Sequence, residues 1–541
     1  MLNKASVIGL LALIILQIGT AAAVIPGLKN EKDTIAILYS KTITSKDIKA
    51  HLSVLASDEY EGRETGEAGQ KKAAKYISNY FSSIGIPPYR DSAENDFQNY
   101  YQIFPLIIQS PYGAKISSNG KDFQFIEDFY FFSGFEDITT QINEISFLGY
   151  GIESDEYNDY NGRDVVGKWI IILAGEPFDK NENSIVTGSK NSSNWSSDWR
   201  KKRKLAKEKG AIGMFIVSED FEENLNTNRH NVERSSVKLA TVEKEEKDRQ
   251  IPNFYMSVEM ANNIMAASKT KTTVESAKRR ISKKRKPYFE EIKSEIEIVV
   301  EREKSEIQAE NVLGYIEGTD KKDEVIIITA HYDHLGISGE EIYNGADDNG
   351  SGTVALLELA EAFAKAKSDG HGARRSILIM PVSGEEKGLL GSKYYTENPV
   401  YPLENTVANL NIDMIGRIDT IHEGNPNYIY LIGADRLSKE LHEVSERANS
   451  NYVNIELDYR YNAEDDPNRF YYRSDHYNFA KNNIPVIFYF NGVHEDYHKP
   501  TDTVDKINFS KLEKITKLIY FTVWELANME KRIVLTNDTT E

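Results

Sequence analysis

The spacing of apolar positions gives the chain three textures. Between 44 and 109 the period is mostly helical. Thr44-Ser45-Lys46-Asp47 suits a helix cap, and Ile48, Leu52 and Leu55 follow on one stripe. Residues 62–66 read as a turn. Residues 70–84 predict an amphipathic helix with Ala73, Ala74, Ile77, Tyr80, Phe81 and Ile84 on one face, closed by Gly85. Residues 100–109 predict a strand. From about 111 to 293 short strand-like runs dominate, at 123–126, 145–148, 169–173 and 214–217. Loops rich in Asn, Ser, Asp and Lys separate them, with a charged helix at 201–209. From about 295 strands and helices alternate. Strands are predicted at 296–300, 312–316, 325–329, 376–382, 408–413, 428–432 and 486–490, and helices at 352–367, 389–397, 438–449, 476–481 and 509–530. Continuous apolar strands such as Ile326-Ile327-Ile328 suit a sheet covered on both faces. The expected fold is α/β: a three-layer α/β/α sandwich with a largely parallel mixed sheet, interrupted by a mostly-β insert.

Composition narrows this picture. The 541 residues suffice for two or three domains. Residues 1–23 read as a signal peptide: Lys4 is the sole charge, an apolar run covers 5–18, and Ala21-Ala22-Ala23 closes the segment. That run is short for a membrane span. The expected division is 1–23 signal peptide, 24–110 N-terminal part of the main domain, 111–293 insert and 294–541 the rest of the main domain. The expected location is outside the cytoplasm, periplasmic or extracellular, with no stable membrane insertion once the signal is cleaved. Zero cysteine excludes disulfides, thiolate zinc sites and thiol nucleophiles, so a metal must be held by nitrogen and oxygen. A net charge of −19 argues against a nucleic-acid partner. The basic run at 278–286 reads as a solvated helix or loop. Oligomeric state is not legible.

Chemistry-bearing residues collect where the predicted core strands end. The strand at 325–329 runs into His331 and Asp333. The strand at 376–382 runs into Gly384-Glu385-Glu386. The strand at 408–412 ends at Asp413, and that at 486–490 leads to His494, Glu495, Asp496 and His498. Asp347 and Asp348 lie on a glycine-bounded turn before a helix. Functional groups in open α/β sheets gather at the carboxyl ends of strands. Imidazole and carboxylate are ordinary zinc ligands, and two ions about 3.5–4 Å apart can activate water and clamp a carbonyl. In the pair Glu385-Glu386, neighbouring side chains point in different directions, so one can ligate while the other serves as a general base.

His331-x-Asp333, Gly345-Ala346-Asp347-Asp348-Asn349-Gly350-Ser351-Gly352, Gly384-Glu385-Glu386-x-Gly388-x-x-Gly391-Ser392, Asn411-Ile412-Asp413-Met414 and His498-x-x-Thr501-Asp502-Thr503 occur in that order. Together they resemble the co-catalytic di-zinc aminopeptidase family, which includes bacterial leucyl aminopeptidase, aminopeptidase Y and the glutamate carboxypeptidases, over roughly 44–109 and 295–530. The resemblance implies two divalent ions, most simply Zn2+, bridged by Asp348. His331 and Asp413 would complete one ion, and Glu386 and His498 the other. Glu385 would be the general base for the attacking water. Asp333 would hydrogen-bond the far nitrogen of His331. The Asp348–Asn349 peptide would be cis. Tyr471 would steady the oxyanion, and Arg473 could meet a substrate carboxylate. His334 could support the ligands from behind. His494 competes with His498, and Thr501-Asp502-Thr503 favours His498. His51, His230, His371, His422 and His442 read as surface or packing residues. Ser474 or Asp475 can cap the next helix. The insert resembles a protease-associated domain through residues 160–168 before the strand at 169–173, and Gly210-Ala211-Ile212-Gly213 before that at 214–217.

The resulting expectation is an exported metal-dependent aminopeptidase acting on peptides. A carboxypeptidase or dipeptidase of the same family, a glutaminyl cyclase, and a non-catalytic receptor-like protein are the alternatives. The last would be expected to have lost ligands.

Overall fold

The computed structural model describes residues 32–90, 97–240 and 249–536. The predicted signal peptide lies outside them. Among the described residues no helix is long and apolar enough to cross a membrane.

A seven-stranded mixed sheet positions the site. Its spatial order is Gly314–Ile316, Arg375–Val382, Lys321–His331, Thr406–Ile412, Val486–Phe490, Tyr428–Ile432 and Glu456–Asp458. The four central strands are parallel to one another. Gly314–Ile316 and Tyr428–Ile432 join antiparallel to their inner neighbours. Alternate residues of each strand enter different cores. Ile326, Ile328 and Ala330 pack in a cluster with the helices Gly352–Ser368 and Phe509–Asn528, whereas Val325 and Ile327 pack with Phe479 and Tyr395 from helices His476–Ala480 and Leu390–Glu397. The N-terminal helices Ser45–Leu55 and Ala68–Ser83 add Leu52, Leu55, Ala73 and Ile77 to the first cluster.

Two predicted strands fall in unexpected places. The strand at 296–300 is the end of Phe289–Val300, which pairs with Ala114–Ser118 and Ile138–Leu148 in a separate eight-stranded sheet. Its side chains alternate: Ile292, Ile296, Ile298 and Val300 are buried while Glu295 and Glu297 are exposed. That is the pattern of a strand with one wet face, unlike the doubly covered core strands. The strand at 312–316 is broken at Leu313. Lys304–Val312 pairs with Tyr101–Gln109, and only Gly314–Ile316 enters the seven-stranded sheet.

The eight-stranded sheet carries more helix than its sequence predicts: Trp199–Glu208, Phe221–Glu233, Val258–Met265 and Val274–Lys284. The basic run sits largely on the last of these and pairs with carboxylates of the same unit. Lys278 pairs with Glu219, Arg279 with Glu275 and Arg285 with Asp179. One strand beyond that sheet, Ser236–Leu239, pairs with Tyr101–Gln109 and so ties the insert to the rim of the main sheet.

Candidate metal centre

Lys321–His331 ends on His331, Thr406–Ile412 on Asp413, and the loop leaving Arg375–Val382 carries Glu385 and Glu386. Because these strands are parallel neighbours, their carboxyl ends place the four groups along one edge. The turn Ala346–Ser351 supplies Asp348, and the segment after Val486–Phe490 supplies His498. The Asp348–Asn349 peptide is cis.

The spacings are informative. Nε2 of His331 lies 3.3 Å from Oδ1 of Asp348 and 3.4 Å from Oδ1 of Asp413. Nε2 of His498 lies 3.1 Å from Oδ2 of Asp348 and 3.4 Å from Oε2 of Glu386. Ligand atoms about 2.0–2.2 Å from one tetrahedral ion are separated by roughly 3.3–3.6 Å. The two oxygens of Asp348 therefore face two different ligand sets. Glu385 stands beside the first, its Oε2 3.8 Å from His331 Nε2. Nε2 of His331 and Oδ2 of Asp348 are buried without a hydrogen-bond partner. Such orphaned atoms in a nitrogen and oxygen donor set fit a divalent cation. Burial works against charge on His498, but Asp348 and Glu386 outweigh it and raise the imidazole to about 10. Burial also pushes Glu385 well above the usual carboxylate range; His331 opposes this, and Asp413 and Glu386 reinforce it.

The supporting contacts differ from expectation in informative ways. Nδ1 of His331 meets the main-chain oxygen of Asp333 at 3.0 Å, while the Asp333 carboxylate is 3.8 Å away. A carbonyl only accepts, so Nδ1 carries a proton and Nε2 is the nitrogen turned toward the carboxylates. The Asp333 carboxylate instead accepts from Thr65 Oγ1 at 2.6 Å and from the N–H of Glu385 at 3.3 Å. It thus holds the loop that carries Glu385. His334 donates through Nδ1 to Glu386 Oε1 at 2.8 Å, and is 3.9 Å from Asp348 Oδ2. It is Glu386's direct partner, whereas His498 spans Glu386 and Asp348.

Asp347 and Asp348 point to separate tasks. Asp347 accepts from the N–H of Gly416 at 2.6 Å and lies 3.2 Å from Nε2 of His494. His494 is thereby occupied away from the two ligand sets. The Asp502 carboxylate accepts from the N–H groups of Asp347 and Asp348 at 2.9 and 3.1 Å, so it anchors the turn itself. Gly345 opens that turn at φ +51°, and a Cβ there would lie 2.1 Å from the main-chain oxygen of Asp348. Ser474 and Asp475 do not cap the helix His476–Ala480. Ser474 donates to Asp413 Oδ2 at 2.7 Å, and Asp475 accepts from Ser392 at 2.5 Å.

Sequence reasoning passed over Arg63. Its guanidinium is buried and donates to the main-chain oxygens of Leu55, Tyr332, Asn344 and Gly345 at 2.7–3.0 Å. It stitches the N-terminal turn to both metal-site loops. The only signal was an arginine and a threonine within a glycine-bounded turn.

A narrow pocket of about 40 Å³ opens onto Asp348, Glu385 and Asp413, walled by Met414, Phe470, Phe488, Phe490, Val493, Arg473, Tyr497 and His498. Arg473 is thus at the site. Tyr471 is not brought to this pocket: its ring lies against Arg436 at 3.9 Å and beside His476. The pocket's tyrosine is Tyr497, stacked on His498 with centroids 3.8 Å apart. A further acidic group, Asp458 and Glu456 near His422, is tied internally. Arg460 bonds Asp458 at 2.8 Å, and His422 stacks on Tyr428.

The sheet and the constellation at its edge define a protein of mixed α/β fold with a candidate nitrogen and oxygen metal centre. Residues 311–523 match the model of peptidase family M28. Aminopeptidase YwaD of Bacillus subtilis is 28% identical over 219 residues, which is 39% of this chain and 43% of that protein. A probable zinc metalloprotease of Leptosphaeria maculans is 26% identical over 295 residues, covering 46% and 66%. A probable leucine aminopeptidase of Arthroderma otae is 29% identical over 214 residues, covering 38% and 55%. The matched stretch thus spans about half the length of these relatives. The aminopeptidase from Aneurinibacillus sp. strain AM-1 shares the fold, with a TM-score of 0.52 and 18% identity over 92% of this chain and 98% of that one.

Proposed function

We propose that the protein is an exported zinc-dependent aminopeptidase that hydrolyses N-terminal peptide bonds. The observation that carries this reading is the Asp348 carboxylate, set 3.3 Å from His331 by one oxygen and 3.1 Å from His498 by the other, with Glu385 alongside. His331, Asp348 and Asp413 would hold one ion, and Asp348, Glu386 and His498 a second. When bound, such ions acidify water and polarise a carbonyl. Glu385 takes the proton from the attacking water and returns it to the leaving amine. Asp333 keeps Glu385 in place through its main chain. The ring of Tyr497 and the apolar walls of the small pocket receive the first side chain. The predicted signal peptide supports export. The names of the matched relatives support zinc and aminopeptidase chemistry. The eight-stranded unit is read as a protease-associated domain inserted into a three-layer α/β/α domain.

Arg473 in the pocket wall favours a second reading, a carboxypeptidase in which the guanidinium meets the terminal carboxylate. A peptide panel assayed with the metal-loaded protein separates the two. Loss of cleavage on N-blocking alone supports the aminopeptidase, and loss on C-blocking alone the carboxypeptidase.

A further inference from the structure

A second, wider cleft leaves the metal site on the side of Glu386. It measures about 530 Å³ and reaches from Glu386 and Lys387 across to the eight-stranded unit, where Arg200, Arg203 and Arg234 line it. Arg200 and Arg203 are three residues apart on the helix Trp199–Glu208 and so share a face. Both guanidiniums lie over the Trp199 ring, at 4.7 and 4.9 Å, and Phe132 stacks on that ring at 5.4 Å. Arg234 follows the helix Phe221–Glu233 and leads into Ser236–Leu239, whose pairing with Tyr101–Gln109 fixes it in place. Leu239 packs with Phe104 and with Leu390, four residues past Glu386. Arg234 is therefore held near the metal-site loop by a packed strand.

Their charge is unbalanced. Among the described residues no carboxylate lies within ion-pair distance of Arg200, Arg203 or Arg234, whereas Arg279, Arg285, Arg374, Arg417, Arg447 and Arg460 are all paired. Among the described residues Arg203 bonds the neutral Asn253, at 3.1 Å. Three guanidiniums without a carboxylate partner among the described residues converge on one cleft, in a chain with 84 acidic and 65 basic residues. Trp199 fixes two of them, so little order remains to be imposed by a partner carboxylate.

We infer that this cleft binds the part of the peptide beyond the scissile bond and selects acidic side chains there. The inference rests on the aminopeptidase reading. The 40 Å³ pocket has room for one side-chain end, and the 530 Å³ cleft is the space left for the departing chain. Glutamate or aspartate at the second and third positions after the cleaved bond meets Arg200, Arg203 and Arg234 in the fork geometry that guanidinium offers carboxylate.

The test uses the metal-loaded full chain and three matched peptides, Leu-Ala-Glu-Glu-Ala, Leu-Ala-Gln-Gln-Ala and Leu-Ala-Lys-Lys-Ala. The expected kcat/KM is about tenfold higher for the glutamate peptide than for the glutamine one, and higher again relative to the lysine one. The ratio falls toward one at about 0.5 M salt and in Arg200→Glu/Arg234→Glu. The milder Arg200→Gln/Arg234→Gln gives an intermediate ratio, which guards against misfolding of the charge-reversed protein. Equal rates, or a preference for lysine, overturn the inference. If no peptide is cleaved, the aminopeptidase reading fails, and anisotropy with fluorescent forms of the same peptides decides the cleft. Tighter binding of the glutamate peptide, weakened in the variants, supports it; binding without discrimination overturns it.

Discussion

Thr65 donates a 2.6 Å hydrogen bond from its hydroxyl to Oδ2 of Asp333, a partner 268 residues away. Oδ1 of the same carboxylate receives the N–H of Glu385. A turn from the N-terminal segment therefore sets the loop that carries the proposed base. Thr65→Val keeps the shape and deletes the donor. The expected outcome is a kcat about 10–100-fold lower with KM little changed, because supporting contacts of this kind act on geometry. A Thr65→Ser variant should restore most of the rate.

The base and the bridge can be separated by two substitutions. Glu385→Gln should lower kcat about 10²–10⁴-fold, the range for a general base, while the protein retains its metal on dialysis. Asp348→Asn should lose metal as well as activity. Elemental analysis and metal-dependent thermal shifts distinguish the two, since a ligand that binds only the folded state raises Tm. A Glu385→Gln protein with full activity and normal metal content would refute the assignment.

Tyr497 and Tyr471 make a sharp contrast. Tyr497→Ala removes the ring stacked on His498 and opens the pocket wall. It should lower kcat/KM about tenfold or more. Tyr471→Ala removes a buried ring from an apolar cluster. It should cost about 3 kcal/mol of stability, measured by urea unfolding, with kcat of the folded enzyme nearly kept.

Glu358 gives the protein a pH-dependent weakness. It is buried on the helix Gly352–Ser368, and its carboxyl is pushed up to about 8 by burial. Thr44 N–H opposes the shift and nearby carboxylates add to it. The folded state thus holds a proton that the unfolded chain releases near the ordinary glutamate range, so stability falls as pH rises from about 4.5 to about 8. The slope from this group is at most about 1.4 kcal/mol per pH unit. Glu358→Gln keeps an oxygen for Thr44 N–H, received at 3.0 Å in the native protein. It should show a growing stability advantage over the native protein between pH 5.5 and 8.5, read from urea midpoints. A constant difference would count against the shift.

Much of this was legible in one dimension. The central strands and the helices Gly352–Ser368, Leu390–Glu397 and Phe509–Asn528 follow from apolar period and length, because a doubly covered strand must be apolar throughout and a helix must bury one stripe. His331, Glu385, Glu386 and Asp413 were visible because parallel neighbours deliver their carboxyl ends to one edge whatever the loops do, whereas the choice of Asp348 over Asp347 and of His498 over His494 rested on the family resemblance. Even the one-face alternation of Phe289–Val300 was written in its glutamates, though proximity in sequence drew it toward the wrong sheet.

What the sequence determined by itself was the alternation of elements, the absence of thiol chemistry and the set of donors at the strand ends, since each depends only on local composition and period. Tertiary structure alone decided their partners. It gave the Asp333 carbonyl to His331 and its carboxylate to Thr65 and Glu385. It gave His494 to Asp347 rather than to the ligand sets, and brought Tyr497 rather than Tyr471 to the pocket. It also set three arginines of the insert beside Glu386. Apart from the His331–Asp333 contact, these join residues tens to hundreds of positions apart, and a side chain's partner over such distances is fixed by how whole elements pack.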